Sequence, residues 1–231
     1  PLGTTYADSA LNAATTYNYR VSAYDSAGNH SPKSASVIVT TPSLPPVGDT
    51  SYGVYSPTAV MAIDGNTEEF AAAEEILLTN ASGSEGRYRL LYDTEALYLA
   101  GDVTDAQLNA IYTEHDGNLW QDDSVELVFD TLGNGGTALD SDDYKLFVNL
   151  LNIHLDSNGS DKIWTGMYES AVVPNGSVNA AGFDAGYAVE MKIPWSTLGM
   201  TCPASGNMLQ FNLGFNDRND AGALEQTIWS G

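Results

Sequence analysis

The strongest constraint on this chain is a period of two. Along Ser124-Val125-Glu126-Leu127-Val128-Phe129-Asp130, polar and apolar residues take turns, as in a strand with one face buried and one face free. Val125, Leu127 and Phe129 form the core set; Ser124, Glu126, Val128 and Asp130 form the other. Tyr187, Val189, Met191 and Ile193 alternate with Ala188, Glu190 and Lys192, and Leu209, Phe211, Leu213 and Phe215 with Gln210, Asn212 and Asn216. Arg87 to Val103 reads as a hairpin turning at Asp93-Thr94-Glu95. Further strands are expected at about 59–64, 74–79, 144–153, 163–172 and 224–229. No stretch sustains a long helical period. Short alternating strands divided by Gly, Asn and Asp turns predict an all-β fold, an antiparallel β-sandwich.

Charge narrows the partners. The chain carries 30 acids against 8 bases, a net charge of −22. That argues against nucleic acid and anionic membranes, which need Lys/Arg patches, and permits divalent cations. No apolar run reaches the length of a membrane span, and no signal peptide is expected. The single cysteine, Cys202, cannot close an internal disulfide. His30, His115 and His154 show no ligand spacing. No Ser/His/Asp order, phosphate loop or HExxH occurs. With so many acids, a pair at glycosidase spacing is inevitable and signals nothing. Glu190, opposite Val189 and Met191, reads as an exposed strand position.

Two domains are expected. In residues 1–44, Leu11 to Ala23 alternates, Asp25-Ser26-Ala27-Gly28-Asn29 turns, and Ala35, Val37 and Val39 alternate again. This hairpin resembles the last two strands of a fibronectin type III domain, with Tyr17 where that family's corner tyrosine lies. The opening Pro1-Leu2-Gly3 reads as a protease-cleavage scar, and the chain as a piece of something longer. Residues 45–58, with Pro45 and Pro46, form a Pro-rich linker. The second domain, beginning near Tyr52, spans 59–231.

Just before Ser124 stand an aromatic plate, an amide and two acids: Trp120, Gln121, Asp122 and Asp123. A flat ring beside hydrogen-bonding groups suits a sugar, which has an apolar C–H face and a rim of hydroxyls. The competing reading makes Trp120 a plug at the end of the sandwich and the acids solvated. Fully extended, Trp120 would lie roughly 20 Å from Glu126, so the segment between must fold back in an irregular loop. Acids also cluster at strand ends. Asp130 closes one strand, and Asp140, Asp142 and Asp143 open the next. Asp64-Gly65-Asn66 with Glu68, and Asp156-Ser157-Asn158-Gly159 with Asp161, have similar character. Hard oxygens from adjacent loops are what calcium requires.

Six segments in order carry a wider resemblance: Ala62-Ile63-Asp64-Gly65-Asn66, Leu91 to Leu99, Trp120 to Leu127, Val148-Asn149, Gly186 to Trp195, and Phe211 to Asp217. Together they resemble a family 9 carbohydrate-binding module, over residues 59–231. The resemblance implies a DOMON-like, jelly-roll type sandwich with structural Ca2+, for which Asp130, Asp140, Asp142, Asp143 and Asp64 are the candidate ligands. It implies a sugar held between two tryptophans, with a carboxylate, an amide and a basic residue on its hydroxyls. Trp120 falls on the first tryptophan, Glu126 on the carboxylate and Asn149 on the amide; Gln121 is a further candidate. Phe147 stands where the family has arginine. The second sandwich tryptophan falls beyond Gly231, which makes the domain C-terminally truncated, and Trp229 reads as structural.

The expected function is therefore a non-catalytic module that binds ends of polysaccharides or oligosaccharides, cut from a secreted, extracellular bacterial glycoside hydrolase. The alternative is a calcium-stabilised structural or adhesive sandwich without a working sugar site. A haem-binding DOMON-like domain, using Met167, Met191, Lys145 or Lys192, is the remote third.

Overall fold

The computed structural model describes residues 16–40, 52–57, 60–135 and 138–229. The chain divides into two compact units, Pro1–Ser51 and Tyr52–Gly231. The first contains an antiparallel pair, β1 (Thr16–Tyr19) and β2 (Val37–Thr40), with Tyr17 opposite Val39. Its reversal is held by Asp25, whose Oδ1 accepts from the backbone N–H of Ala27 and of Asn29, each at 2.9 Å. The part of the expected hairpin before Thr16 lies outside the described residues, as does residue range 41–51. Tyr52 to Pro57 fall in the second unit. The Tyr52 hydroxyl donates to the Glu74 carbonyl and accepts from Leu90 N, and Tyr55 bridges to Leu91.

The second unit is built of β3 (Ile76–Thr79), β4 (Glu85–Tyr92), β5 (Ala96–Thr104), β6 (Ser124–Asp130), β7 (Asp143–Asn149), β8 (His154–Asn158), β9 (Glu169–Pro174), β10 (Tyr187–Pro194), β11 (Gln210–Arg218) and β12 (Leu224–Ile228). They form two five-stranded antiparallel sheets, in the orders β3-β4-β5-β10-β9 and β12-β11-β6-β7-β8. The alternation read from sequence becomes the layer between them. Leu90, Leu99, Val189, Met191 and Ile193 from one sheet share a core with Val125, Leu127, Phe129, Leu146 and Phe215 from the other. All ten are essentially inaccessible. Burying one such side chain is worth about 1.5–3 kcal/mol, so the register of every central strand is fixed by which face it must hide.

Four expectations fail locally. Of the expected strand 163–172 only the end is strand, because β9 begins at Glu169. Residues 60–64 alternate but make no strand. Met61 and Ile63 instead pack with Phe70 and Ala73 on Leu91, Ala96, Tyr98 and Ala100, covering the outer face of β4 and β5. The run 144–153 is not one strand: β7 ends at Asn149, the chain reverses over 150–153 with Asn152 in the left-handed region (φ 57°), and β8 begins at His154. Glu190 is buried, not exposed. Its Oε2 accepts from Asp64 N at 2.9 Å and Gly65 N at 2.6 Å, tying the covering segment to β10. Hydrogen bonds to an ionised carboxylate are worth about 1.5–3 kcal/mol net. Glu190→Ala should therefore lower the unfolding free energy by about 2 kcal/mol in a denaturant titration. An unchanged midpoint would show that the covering segment does not depend on this clasp.

Candidate functional site

With Val125, Leu127 and Phe129 turned inward, the other half of β6 faces away from the core, and its cross-strand partners follow. One row runs Gln226, Asn216, Ser124 and Asn149; the next runs Gly214, Glu126, Phe147 and Leu155; the next Asn212, Val128, Lys145 and Ser157. The loop before β6 is folded back over this face by three buried side chains. Asp122 accepts from Ile111 N (2.7 Å), Tyr112 N (3.1 Å) and the Asn149 amide (2.8 Å). Asp123 accepts from Asn109 N and Arg218 N, both at 2.6 Å, and Ser124 Oγ donates to the Leu119 carbonyl at 2.9 Å. Trp120 thus sits on a short 3-10 turn, Leu119–Gln121, and remains 44% exposed.

Trp120, Glu126, Lys145, Phe147, Leu155 and Gln226 border a cavity of about 790 Å³ on this outer face, within the size range of small-molecule pockets. Glu126 is only 6% exposed. Burial pushes its carboxyl above the ordinary range, while the Gln226 hydrogen bond and the nearby Lys145 ammonium pull it down. The Gln226 amide donates to Glu126 Oε1 at 2.7 Å, which fixes one oxygen. Gly214 makes this possible. A Cβ there would meet the Thr227 carbonyl at 2.5 Å and Glu126 Oε1 at 3.1 Å. An apolar plate, a fixed carboxylate and an ammonium on one concave surface can stack on a ring and hydrogen-bond its hydroxyls.

Other expected site residues fall elsewhere. Asn149 is buried and its amide is spent. Nδ2 donates to Tyr112 O and Asp122 Oδ2, and Oδ1 accepts from Leu151 N and Ile153 N. It holds a corner and does not border the cavity. Gln121 accepts from the Tyr112 hydroxyl and is likewise turned away. Asp130 accepts backbone N–H from Gly133, Asn134 and Gly135, bonds that hold its carboxyl below the usual range. Asp140 and Asp142 share the Asn134 amide, Asp143 accepts from Asp140 N, and Asp64 accepts from Asn66 N. Each of these carboxylates serves a local turn. Of the four residues considered for haem, only Lys145 borders the cavity; Met191 is core, Lys192 pairs with Glu95 and Met167 is exposed.

Among the described residues, two groups bring metal-ligating atoms within 4.8 Å of one another, and sequence reading found neither. Asp105, Asp123 and Asp217 are one. All three are buried. Burial first, and then the Asp105 carboxylate, raise Asp123 to about 9; burial likewise lifts Asp105 to about 6. Their spacing in sequence carries no motif, because they gather from beside the ends of β5, β6 and β11. His115, Asp116 and Asp156 are the other. Lys145 was legible: it stands two residues before Phe147, on the same face by strand period.

The profile of the family described as "Carbohydrate family 9 binding domain-like" matches residues 63–230. Endo-1,4-beta-xylanase A of Thermoanaerobacterium saccharolyticum is 27% identical over 172 residues, covering 69% of this chain and 13% of that protein. Exoglucanase XynX of Acetivibrio thermocellus is 26% identical over 172 residues, again 69% of this chain and 14% of that protein. The chain thus spans about one-seventh of the length of these relatives. A family 9 carbohydrate binding module from Caldicellulosiruptor kristjanssonii, solved with cellotriose, superposes with a TM-score of 0.58 at 22% identity, covering 76% of this chain and 82% of that one. The fold is shared.

Because the Asn149 side chain joins two loops through four hydrogen bonds, Asn149→Ala should act on stability. A loss of about 3 kcal/mol or more is expected from the stranded backbone groups and the unpaired Asp122 oxygen. Unchanged thermal unfolding combined with lost ligand binding would instead make Asn149 a ligand contact.

Proposed function

Because the chain belongs to the carbohydrate family 9 binding domain-like family, as the match over residues 63–230 establishes, we propose that its outer-face cavity binds the end of a plant-type polysaccharide or oligosaccharide. The single observation that carries this reading is the convergence of Trp120, Phe147, Glu126 and Lys145 on one cavity. Trp120 stacks on the sugar's C–H face. The free oxygen of Glu126 accepts a hydroxyl proton while Gln226 holds the other. Lys145 donates from the same face. Phe147, where the family resemblance leads one to expect arginine, adds apolar surface and shifts specificity away from a fully polar rim. The cellotriose complex of the structural relative supports a glucose-type ligand. The xylanase and exoglucanase relatives support a parent glycoside hydrolase and an extracellular setting. Among the described residues no helix is long and apolar enough to cross a membrane. A fibronectin type III origin for the β1–β2 hairpin belongs to the same reading.

We also propose structural calcium, at Asp105, Asp123 and Asp217 rather than at Asp130, Asp140, Asp142, Asp143 or Asp64. The donor set fits: three carboxylates from beside three strand ends, all oxygen, with ligand atoms within 4.8 Å. Three buried acids this close repel one another, and a divalent cation in place of a shared proton relieves that repulsion. Calcium bound there supplies charge neutralisation and joins the ends of β5, β6 and β11.

Trp120→Ala tests the saccharide reading. A central aromatic anchor carries about 2 kcal/mol, roughly thirtyfold in affinity. Titration with cellotriose, xylo-oligosaccharides and soluble xylan should show that loss, with thermal unfolding unchanged because the ring is half exposed. Equal binding by wild type and variant, or no binding to any glycan by wild type, favours the calcium-stabilised structural sandwich.

The calcium reading has its own pH signature. With Asp123 raised to about 9 and Asp105 to about 6 in the metal-free fold, the folded state holds protons that the unfolded chain, at about 4, has released. Their contribution is fully present below about 4 and is lost as pH rises toward about 9. Calcium replaces the protons. The gain in melting temperature on adding calcium to chelator-treated protein should therefore grow with pH, and Asp123→Asn should shrink it. A gain that is flat with pH, or unchanged in the variant, places stabilising calcium elsewhere.

A further inference from the structure

The second cluster lies in the cavity wall and has a different chemistry. β8 brings in Asp156, which is 2% exposed. Its Oδ1 accepts from Gly166 N at 3.0 Å, and its Oδ2 receives no hydrogen bond. Asp116 is fixed in the left-handed region (φ 59°), donating its N–H to the His154 carbonyl at 3.0 Å and accepting from Asp156 N at 3.2 Å. The His115 ring lies between the two carboxylates, with Nδ1 3.0 Å from Asp116 Oδ2 and Nε2 3.4 Å from Asp156 Oδ2. Among the described residues, neither acid forms an ion pair with a lysine or arginine; the His115 ring is what faces both. A buried carboxylate oxygen without a donor is costly, and here it points at the one imidazole within reach.

We propose that His115, Asp116 and Asp156 bind a borderline divalent cation of the zinc type in the wall of the cavity. One imidazole nitrogen and two carboxylate oxygens, all within 4.8 Å, make a mixed donor set. Calcium and magnesium take all-oxygen shells, whereas zinc and its first-row neighbours accept nitrogen with oxygen. Three protein ligands leave a fourth position open. Because Asp116 and Asp156 both border the cavity, that position faces whatever the cavity holds. The ion satisfies the unpaired Asp156 oxygen. This inference stands whether or not the cavity takes a saccharide.

The test is titration calorimetry of chelator-treated protein with zinc in the presence of excess calcium, which fills all-oxygen sites. One zinc per chain is expected. Loss of a supporting group around a metal costs about tenfold in affinity, so a direct ligand must cost more. His115→Ala should weaken zinc by well over tenfold. The ring is exposed, so the variant should fold, and a melting curve checks that it does. Asp156→Asn should do the same, while His30→Ala, on the β1–β2 hairpin, should leave the titration unchanged. Cobalt in place of zinc should give a visible absorption band that His115→Ala abolishes. Zinc uptake equal in wild type and His115→Ala overturns the proposal. So does the absence of zinc uptake with calcium present, which would make His115 a simple ion-pair partner of the two acids.

Discussion

The buried amide of Asn149 donates to Asp122 and to the Tyr112 carbonyl, and this contact joins the β7–β8 corner to the loop before β6. Asp122 faces one way, to residues 111, 112 and 149; Asp123 faces the other, to residues 109 and 218. Two neighbouring carboxylates pointing oppositely make a rigid two-sided bracket at the mouth of β6. Trp120 and Leu119 ride on it. The indole is placed by acids that never touch the cavity.

The acidity of this chain therefore does several jobs. Some carboxylates cap turns in the open, as Asp130 does. Others, such as Asp122, Asp123 and Glu190, are buried and serve as acceptors for backbone N–H groups that no strand ladder satisfies. A carboxylate suits that work because it offers two oxygens, each able to accept more than one hydrogen bond. The net charge of −22 describes the surface only in part.

Period two carried most of the fold. It separated core from outer face in β6, β10 and β11 without any knowledge of pairing, and so put Glu126 on the cavity side, while Phe147 came from the family resemblance. It failed where alternation served something other than a ladder. Met61 and Ile63 alternate because they lie flat on a neighbouring sheet, and Leu150 and Leu151 continue an apolar run through a reversal. Asn149 shows a related limit: strand period gives a side chain's face but not its hydrogen bonds. The two carboxylate clusters were invisible, since their members lie up to 112 positions apart (Asp217 less Asp105) and meet only through sheet order. Gln226 belongs with them, reaching Glu126 across β11.

The two faces of β6 and β7 are separable inheritances. Leu127, Leu146 and Val148 answer to the core; Glu126, Lys145 and Phe147 answer to the cavity. Even the hydrogen bond that the Tyr168 hydroxyl makes to Phe147 goes to its backbone carbonyl and survives any side chain. Two residues further along, at Asn149, that freedom ends. At the proposed saccharide site the chain thus has a short stretch of strand whose outward side chains can change over generations without renegotiating the sandwich, and a sharp border beyond which they cannot.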